Sequence, residues 1–227
     1  MLALRQSPAE PTRAVPAAPA APCELSRAFA TAASAPHSPY SAGQALFHQG
    51  DAARQVYRIQ SGAVVSYGLL ADGRRQVTGF HLPGDFLGLE AGVVHTTTAE
   101  ALTRVEALAM DRSELAVLAS GDNLLARALW QASVGAFQRS ERHALILARQ
   151  GAGERVAAFL LDFSERMGAD DAMDLPMTRQ DIADYLGLTI HTVSRTLSQL
   201  QSEGVIAARS SRHVRLLRRS RLELMRA

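Results

Sequence analysis

The spacing of apolar and polar residues divides the chain into stretches of different character. From Tyr40 to about Met110, short apolar segments alternate with glycine-containing turns, as in "QVYRIQSGAVVSYGLL", "ADGRRQVTGF" and "LPGD". Alternation with period two is typical of half-buried strands, and Asp-Gly and Ser-Gly steps are typical of the turns between them. This pattern predicts an antiparallel barrel or sandwich over residues 39–120.

Helical spacing replaces this alternation further along the chain. "DRSELAVLA" is typical of a short helix with Asp111 as its cap, and Asp122 or Asn123 can cap a long helix that runs to about Arg149, within residues 121–150. One stripe of the long helix recurs at alternating steps of four and three, which is typical of a coiled-coil seam: Leu125, Leu129, Ala132, Ala136, Arg139, His143 and Ile146. We interpret the stripe as a homodimer seam, with a helix packed on its own domain as the alternative.

Glycines interrupt the helical pattern at Gly151 and Gly153, and we expect a hinge between domains at this point. The segment "ERVAAFLLDFSERMG" that follows is amphipathic and predicts a helix that ends at Gly168. Residues 151–227 are therefore interpreted as a separate C-terminal domain.

Two short helical patterns meet at Gly187 in "TRQDIADYLGLTIHTVSRTLSQLQSEG". Thr178 followed by Asp181 is typical of a capping box, and Thr189 can cap the second helix. The apolar side of the second helix, which predicts packing against the first, consists of Val193, Leu197 and Leu200. Two helices joined by about three residues that include glycine form a helix-turn-helix.

The opposite face of the second helix carries side chains that this packing does not require. They are Ile190, His191, Ser194, Arg195 and Ser198. They project from the N-terminal half of the helix, where a recognition helix contacts base edges. Arg195 can donate two parallel hydrogen bonds to guanine O6 and N7, Ser194 can donate or accept, and Ile190 can contact a thymine methyl group. A merely solvated polar face is the alternative.

Residues at the helix starts suit phosphate oxygens, because backbone N–H groups and hydroxyls are available there. We assign phosphate contacts to Thr178, Arg179, Thr189 and Thr192. The segment "GVIAARSSRHVRLL" predicts a hairpin with a Ser-Ser turn, a wing that brings Arg209 and Arg212 to the DNA backbone. From Pro176 onward nine arginines and four acidic residues give a net charge of +5, whereas the rest of the chain carries −3. A basic module of this kind favours a polyanionic partner.

Residues 1–38 are rich in Ala, Pro and Ser and predict a disordered tail, with a short helix near residues 24–33. Cys23 is the only cysteine, which excludes an intrachain disulfide and an all-cysteine iron–sulfur site, and we interpret it as an incidental thiol. No apolar run approaches the roughly 20 residues that cross a bilayer, and prolines interrupt the start where a signal peptide needs its apolar stretch. We therefore expect no membrane partner and a cytoplasmic location.

From Tyr40 to the C-terminus the sequence resembles the CRP/FNR family of bacterial transcription regulators. The resemblance is carried by "LFHQGDAARQVYRIQSGAV", "LPGDFLG", "GERVAAFLLDFSER" and "MTRQDIADYLGLTIHTVSRTLSQLQSEGVI". It implies an α+β fold with an N-terminal β-roll of the cyclic-nucleotide-binding type, a long dimerisation helix and a C-terminal winged helix-turn-helix. It also implies a homodimer that binds palindromic double-stranded DNA and activates transcription together with RNA polymerase.

Two departures narrow the resemblance within the family. Cyclic-nucleotide sensors carry Gly-Glu-Leu followed by an Arg-Ser or Arg-Thr pair, whereas "GLEAGVVHTTTAEAL" has Glu90 displaced by one position and Thr97 in place of the arginine. Without the arginine fork a cyclic phosphate loses its charge-assisted hydrogen bonds, so cAMP binding is not expected. Oxygen sensing of the FNR kind needs four cysteines, and this chain has one. The sequence is thus similar to the FixK-like branch, associated with low-oxygen metabolism, denitrification and nitrogen fixation, and no cofactor is expected.

The resemblance also assigns roles in base recognition. The base-reading positions of the family fall on Ile190, His191, Ser194 and Arg195. Most relatives place a glutamate at the second position, where it accepts from cytosine N4, whereas a neutral imidazole can both accept and donate. The implied DNA site has the form TTG(A/C)…(T/G)CAA, with a guanine read by Arg195 and a base preference at the position of His191 that can differ from the family's.

Two other functions are alternatives to this one. A cupin-like metal enzyme would use His81, Glu90 and His95 as ligands, although cupins usually bring two histidines close together on one strand. A regulator of the same fold could instead bind haem through His48, His81 or His95, or bind another small metabolite. No catalytic triad, P-loop or paired-carboxylate pattern is present in the sequence, so catalysis is not supported.

Overall fold

The computed structural model describes residues 24–31, 37–169 and 172–226. Residues 1–23, which include Cys23 and most of the predicted tail, lie outside the described residues. None of the described helices is long and apolar enough to cross a lipid bilayer.

Eight strands form the N-terminal β-roll that the alternation predicts. They are β1 (His37–Tyr40), β2 (Ala45–Phe47), β3 (Gln55–Ser61), β4 (Val64–Leu69), β5 (Arg75–His81), β6 (Phe86–Leu87), β7 (Thr98–Ala101) and β8 (Val105–Asp111). They pair antiparallel in two four-stranded sheets, of strand order β1-β8-β3-β6 and β2-β7-β4-β5. The turn between β3 and β4 requires glycine, since Gly62 has a φ of +84° and a Cβ there would lie 2.2 Å from the backbone oxygen of Arg104.

The interior of the roll is filled by side chains from both sheets. Alternate positions of the strands point inward, as the period of two requires. The buried cluster between the sheets includes Leu46, Phe47, Tyr57, Ile59, Val64, Leu87, Ala99, Val105 and Ala107.

The described residues also contain seven helices and a second, smaller sheet. The helices are α1 (Glu24–Thr31), α2 (Arg112–Gly121), α3 (Asn123–Leu147), α4 (Ala152–Arg166), α5 (Arg179–Leu186), α6 (Ile190–Ser202) and α7 (Arg219–Arg226). The small sheet has the order β10-β11-β9 and consists of β9 (Ala172–Asp174), β10 (Ile206–Ala208) and β11 (His213–Leu216).

The predicted helix caps are only partly correct. The carboxylate of Asp122 accepts from the backbone N–H groups of Leu124 and Leu125 at 2.8 and 3.2 Å, and so it starts α3 as predicted. Asp111 occupies the N-cap position of α2, as predicted, but its side chain makes no capping hydrogen bond.

The short helix expected near residues 24–33 is a packed element rather than part of a tail. Leu25 and Phe29 of α1 are 0% and 1% exposed and belong to the same buried cluster as residues of β3, β8, α2 and α3. The ring of Phe29 meets that of Phe86 edge-on, with centroids 5.6 Å apart. Two apolar residues four apart give α1 one apolar side, and the roll covers it.

The stripe predicted as the dimer seam faces the protomer's own body. Leu125 and Ile146 are 4% and 5% exposed, and His143 is buried as well. Leu129 and Ala132 pack against the cluster that contains α1. The structure therefore favours the alternative, packing on its own domain, for Leu125, Leu129, Ala132, His143 and Ile146. Ala136 and Arg139, the other two residues of the predicted seam, are half-buried on the same side of the helix. Steps of three and four identify an apolar side of a helix but do not identify what covers it.

The C-terminal domain and the roll share one hydrophobic core. The ring centroid of Phe80 on β5 lies 6.2, 6.3 and 5.1 Å from those of Phe159, Phe163 and Tyr185 on α4 and α5. The same buried cluster contains Val65 and Val77 of the roll and Val193 of α6. The glycines near residue 151 thus separate two segments of the chain but not two independent cores.

Replacing Phe29 by Ala tests the packing of α1. Because the ring is fully buried, we expect the free energy of unfolding to fall by roughly 3 kcal/mol, as measured by urea denaturation of the full chain. Glu24→Gln is the control, since the Glu24–Arg27 ion pair is exposed and contributes little. An unchanged stability of the Phe29 variant would mean that α1 does not pack on the roll in solution.

Candidate DNA-binding interface

The first helix of the helix-turn-helix begins with the predicted capping box. The Thr178 side chain accepts from the backbone N–H of Asp181, and the Asp181 carboxylate accepts from the backbone N–H of Thr178 at 2.8 Å. Gly187 ends α5 in the left-handed conformation with a φ of +61°. This conformation favours glycine, and it turns the chain toward α6.

The second helix is anchored on one side and free on the other. Thr189 caps it by accepting from the backbone N–H of Thr192 at 3.1 Å. The residues predicted to pack on α5 are all buried: Val193, Leu197 and Leu200. Their spacing leaves the opposite face of α6 outside the core.

The predicted base-reading residues share this outer face. Ile190, His191, Ser194 and Arg195 are all exposed. Ile190, with 38% of its surface exposed, is the apolar member of the group. They occupy the first two turns of α6, so they lie at the end of the helix that enters the major groove in proteins of this architecture.

The predicted phosphate contacts at the helix starts differ in availability. Thr178 and Thr189 are exposed, and the hydroxyls of Thr189 and Thr192 are 2.8 Å apart. Arg179 is only half exposed, and its Nη1 is buried without a hydrogen-bond partner among the described residues. Burial of this guanidinium lowers its pKa.

The wing is a hairpin of β10 and β11, as predicted, with β9 as a third strand that the sequence analysis missed. Ile206 pairs with Leu216, and Ala208 pairs with Val214. His213 of β11 lies 2.7 Å from the Asp174 carboxylate, which connects the hairpin to β9. Arg209 at the turn is exposed, whereas Arg212 is half-buried and engaged with other groups.

Two features that support the site, the Arg155 side chain and helix α7, were not predicted from the sequence. Arg155 of α4 donates to the backbone oxygens of Arg149 and Leu186 at 2.8 and 2.9 Å, and so it joins the end of α3 to the end of α5. Helix α7 buries Leu222 against α4. The amphipathic spacing of "RRSRLELMR" is the signal that could have identified α7, whereas no local pattern identifies Arg155.

In the roll, the histidines proposed as ligands have other contacts. His95 stacks on Phe47 with ring centroids 3.7 Å apart, and its Nδ1 pairs with the Glu90 carboxylate. His81 Nε2 lies 2.8 Å from the Ser66 hydroxyl, and His48 is exposed. Within residues 24–31, 37–169 and 172–226, no three His, Cys, Asp or Glu side chains are grouped to hold a metal ion. His81, Glu90 and His95 therefore do not form the cupin-like ligand set.

A β-roll joined through a long helix to a winged helix-turn-helix, with an exposed polar face on α6, is the architecture of a DNA-binding transcription regulator. A family model described as "Crp-like helix-turn-helix domain" matches residues 154–225, and one described as "Cyclic nucleotide-binding domain" matches residues 38–122.

Comparison with known proteins gives the particular family. The nitrogen fixation regulation protein FixK of Rhizobium meliloti is 43% identical over 79% of this chain and 82% of its own length. The FixK protein of Azorhizobium caulinodans is 45% identical over 78% of this chain and 73% of its own length. The solved structure of FixK2 from Bradyrhizobium japonicum superimposes with a TM-score of 0.81 at 43% identity, covering 85% of this chain and 98% of that one. The chain belongs to the CRP/FNR family and is FixK-like within it.

The burial of His81 gives the stability of the protein a pH dependence. Burial lowers the pKa of His81 to about 4, because its Nδ1 is enclosed without a hydrogen-bond partner among the described residues, although the nearby Asp85 carboxylate opposes the shift. As the pH falls below about 6.5, the unfolded chain takes up a proton at this histidine before the folded chain does. The contribution of the neutral His81 to the stability is therefore present above about pH 6.5 and is lost as the pH falls from 6.5 to about 4.

We expect the free energy of unfolding to fall between pH 7 and pH 5, with a contribution from His81 on the order of 1 kcal/mol. Urea denaturation at both pH values measures it. His81→Gln should remove this part of the pH dependence, and His48→Gln, which changes an exposed histidine, should leave it intact. Equal pH dependence in the wild type and the His81 variant would contradict the assignment.

Proposed function

We propose that this protein is a transcription activator that binds a palindrome of the form TTG(A/C)…(T/G)CAA as a homodimer and recruits RNA polymerase in the cytoplasm. The observation that carries the proposal is the exposed face of α6, formed by Ile190, His191, Ser194 and Arg195, opposite a buried apolar side. The names of the FixK relatives support target genes of nitrogen fixation, and the family resemblance extends this to low-oxygen metabolism and denitrification.

Base recognition rests on the chemistry of this face. The Arg195 guanidinium presents two parallel N–H donors that match guanine O6 and N7, and Ile190 suits a thymine methyl group. The family resemblance implies a glutamate where this chain has His191, and the imidazole ring can accept from cytosine N4 or donate to guanine. The guanine read by Arg195 is thus the defined position of the site, and the position read by His191 is where this protein differs from its relatives.

Phosphate contacts position the reading face without specifying sequence. Thr189 supplies a hydroxyl and the N-terminus of α6, and Thr192 lies beside it. Thr178, whose hydroxyl donates to Asp181, contributes through the N-terminus of α5. Arg179 contributes through the start of α5, where its side chain is half-buried. Arg209 and Arg212 bring the wing to the neighbouring backbone.

The homodimer would form through the face of α3 that is opposite to the predicted seam. Four large apolar side chains on this face are 62–70% exposed: Leu124, Trp130, Phe137 and Leu145. They are spaced six to eight residues apart, close to the heptad repeat of two helices that pack along their length. Several large apolar side chains exposed along one side of a helix are typical of a protein interface. A second copy of the chain suits this face, because two α3 helices that pack along their length are related by a twofold axis. The same axis places the two recognition helices on the two halves of a palindrome.

The roll is proposed to work without a bound cyclic nucleotide. Its interior is filled by the apolar cluster between the sheets. Glu90 is paired with His95, and its backbone oxygen accepts from Arg112, so the segment that would hold the phosphate is engaged within the protein.

Replacing Arg195 by Ala tests the reading face. We expect the variant to lose roughly 1–3 kcal/mol of binding free energy for the palindrome and to discriminate little between bases at the guanine position. Titration of labelled duplexes at physiological salt, with each base in turn at that position, measures both effects.

The control for this experiment is Arg209→Ala, which removes a charge from the wing. It should weaken binding to the palindrome and to scrambled DNA alike and reduce the salt dependence by about one phosphate contact. Retained discrimination in the Arg195 variant would refute its role, and a wild type that binds the palindrome no better than scrambled DNA would refute the proposed site.

Phe137→Glu tests the dimer. Because charges on both copies would meet in an apolar interface, we expect a monomer at micromolar concentration where the wild type is a dimer, as measured by light scattering. Leu224→Glu is the matched control, since Leu224 is a similarly exposed apolar residue on α7. A dimeric Phe137 variant, or a monomeric wild type, would exclude this face as the interface.

A further inference from the structure

The β5 strand of the roll holds the first helix of the helix-turn-helix by directional contacts. The Arg75 guanidinium pairs with the Asp181 carboxylate and lies 3.7 Å from that of Asp184. The same guanidinium lies over the ring of Tyr67, 4.5 Å from its centroid. Gln76, the next residue, donates from Nε2 to the backbone oxygen of Asp184 at 2.7 Å.

The Arg75–Asp181 pair is shielded from solvent and shares its carboxylate with the start of α5. The side chains of Arg75 and Asp181 are 29% and 9% exposed. One carboxylate oxygen of Asp181, Oδ2, accepts from the backbone and hydroxyl of Thr178, and the other, Oδ1, accepts from Arg75. The same group therefore caps α5 and connects it to the roll. An ion pair that is screened little by water and salt holds a defined geometry better than an exposed one.

A third element holds α5 from the other side. His143 of α3 stacks on Tyr185 with ring centroids 3.8 Å apart, and its Nε2 donates to the backbone oxygen of Tyr185 at 2.7 Å. Burial lowers the pKa of His143, which favours the neutral ring in this contact. Since α5 packs on α6, fixing α5 against β5 and α3 also fixes the recognition helix relative to the dimer helix.

We propose that Arg75 and Gln76 are positioning residues for DNA recognition, which clamp α5 to the roll and so set the distance and angle between the two recognition helices of a dimer. The inference rests on the proposed homodimer and its palindrome. The contacts leave the outer face of α6 free, so the clamp holds the helix-turn-helix without covering the side chains that read bases.

A rigid clamp predicts a strict spacer between the half-sites. One base pair added to the spacer moves the half-sites apart by about 3.4 Å and rotates them by about 35°. Clamped domains cannot follow this change, whereas released domains can. Released domains are still joined by the apolar core, but the angle between them varies, so the effective concentration of the second recognition helix at its half-site falls.

The experiment uses the full chain and a series of duplexes. The wild-type optimum is first located by titrating palindromes whose spacers differ by one base pair, together with a duplex that carries a single half-site. The series is then repeated with Arg75→Ala and with Gln76→Ala. The control is Arg74→Ala, which removes the same charge from the same hairpin, where Arg74 is 76% exposed and lies 2.7 Å from Asp72 of its own turn.

We expect the wild type and the Arg74 variant to prefer the optimal spacer over its neighbours by about tenfold or more, and the Arg75 variant by less than about threefold, since the shared apolar core, which is not directional, no longer has the ion pair that fixes the angle of α5. Half-site affinity and the dimer measured by light scattering should be unchanged. The Gln76 variant, which leaves the buried carboxylate paired, should broaden the spacer preference in the same direction.

Two results would overturn the clamp alone. One is a wild-type spacer profile in both the Arg75 and the Gln76 variants. The other is a parallel loss of half-site and palindrome affinity with a salt dependence reduced by about one contact, which would make Arg75 a phosphate ligand. A wild type that binds half-site and palindrome equally would instead overturn the proposed dimeric recognition, and the clamp with it.

Discussion

The aromatic contact between the roll and the helix-turn-helix is the interaction on which the arrangement of the chain depends. Phe80 of β5 packs on Phe159 and Phe163 of α4 and on Tyr185 of α5, and burial raises the pKa of the Tyr185 hydroxyl. Truncating a buried ring of this kind costs roughly 3–5 kcal/mol, more than an average hydrogen bond or exposed ion pair contributes. The aromatic cluster therefore holds the two parts together. Apolar contact is not directional, however, so the relative orientation depends on the polar contacts around it, from Arg75, Gln76 and His143.

The two sides of helix α3 have different environments. One side completes the core of its own chain through Leu125 and Ile146, and the other side exposes Trp130 and Phe137. Of the two, only the exposed side is available to a second copy. A change in how two copies pack along α3 would also move His143 and, through the carbonyl of Tyr185, helix α5. The proposed dimer interface and the proposed base-reading face are thus connected by a continuous set of contacts within each chain.

The helix-turn-helix was predictable in detail because its determinants are local. The capping box of Thr178 and Asp181, the left-handed Gly187 and the cap at Thr189 each involve residues within four positions of one another. A helix of defined start with one apolar side can expose only the remaining side, so the exposure of His191 and Arg195 followed from the sequence. The strands of the roll were predictable for a similar reason, since a period of two and glycine turns are also local signals.

The sequence by itself determined the types of element, their order, the family and the face of α6 that meets solvent. The tertiary structure alone decided which surface covers each apolar stripe. It assigned the stripe of Leu125 and Ile146 to the protomer's own core, packed α1 onto the roll, and brought Arg75 to Asp181 across 106 positions of sequence. Periodicity reports that one side of an element avoids water, but the hydrophobic effect is satisfied by any apolar partner. The identity of that partner therefore depends on the packing of the whole chain.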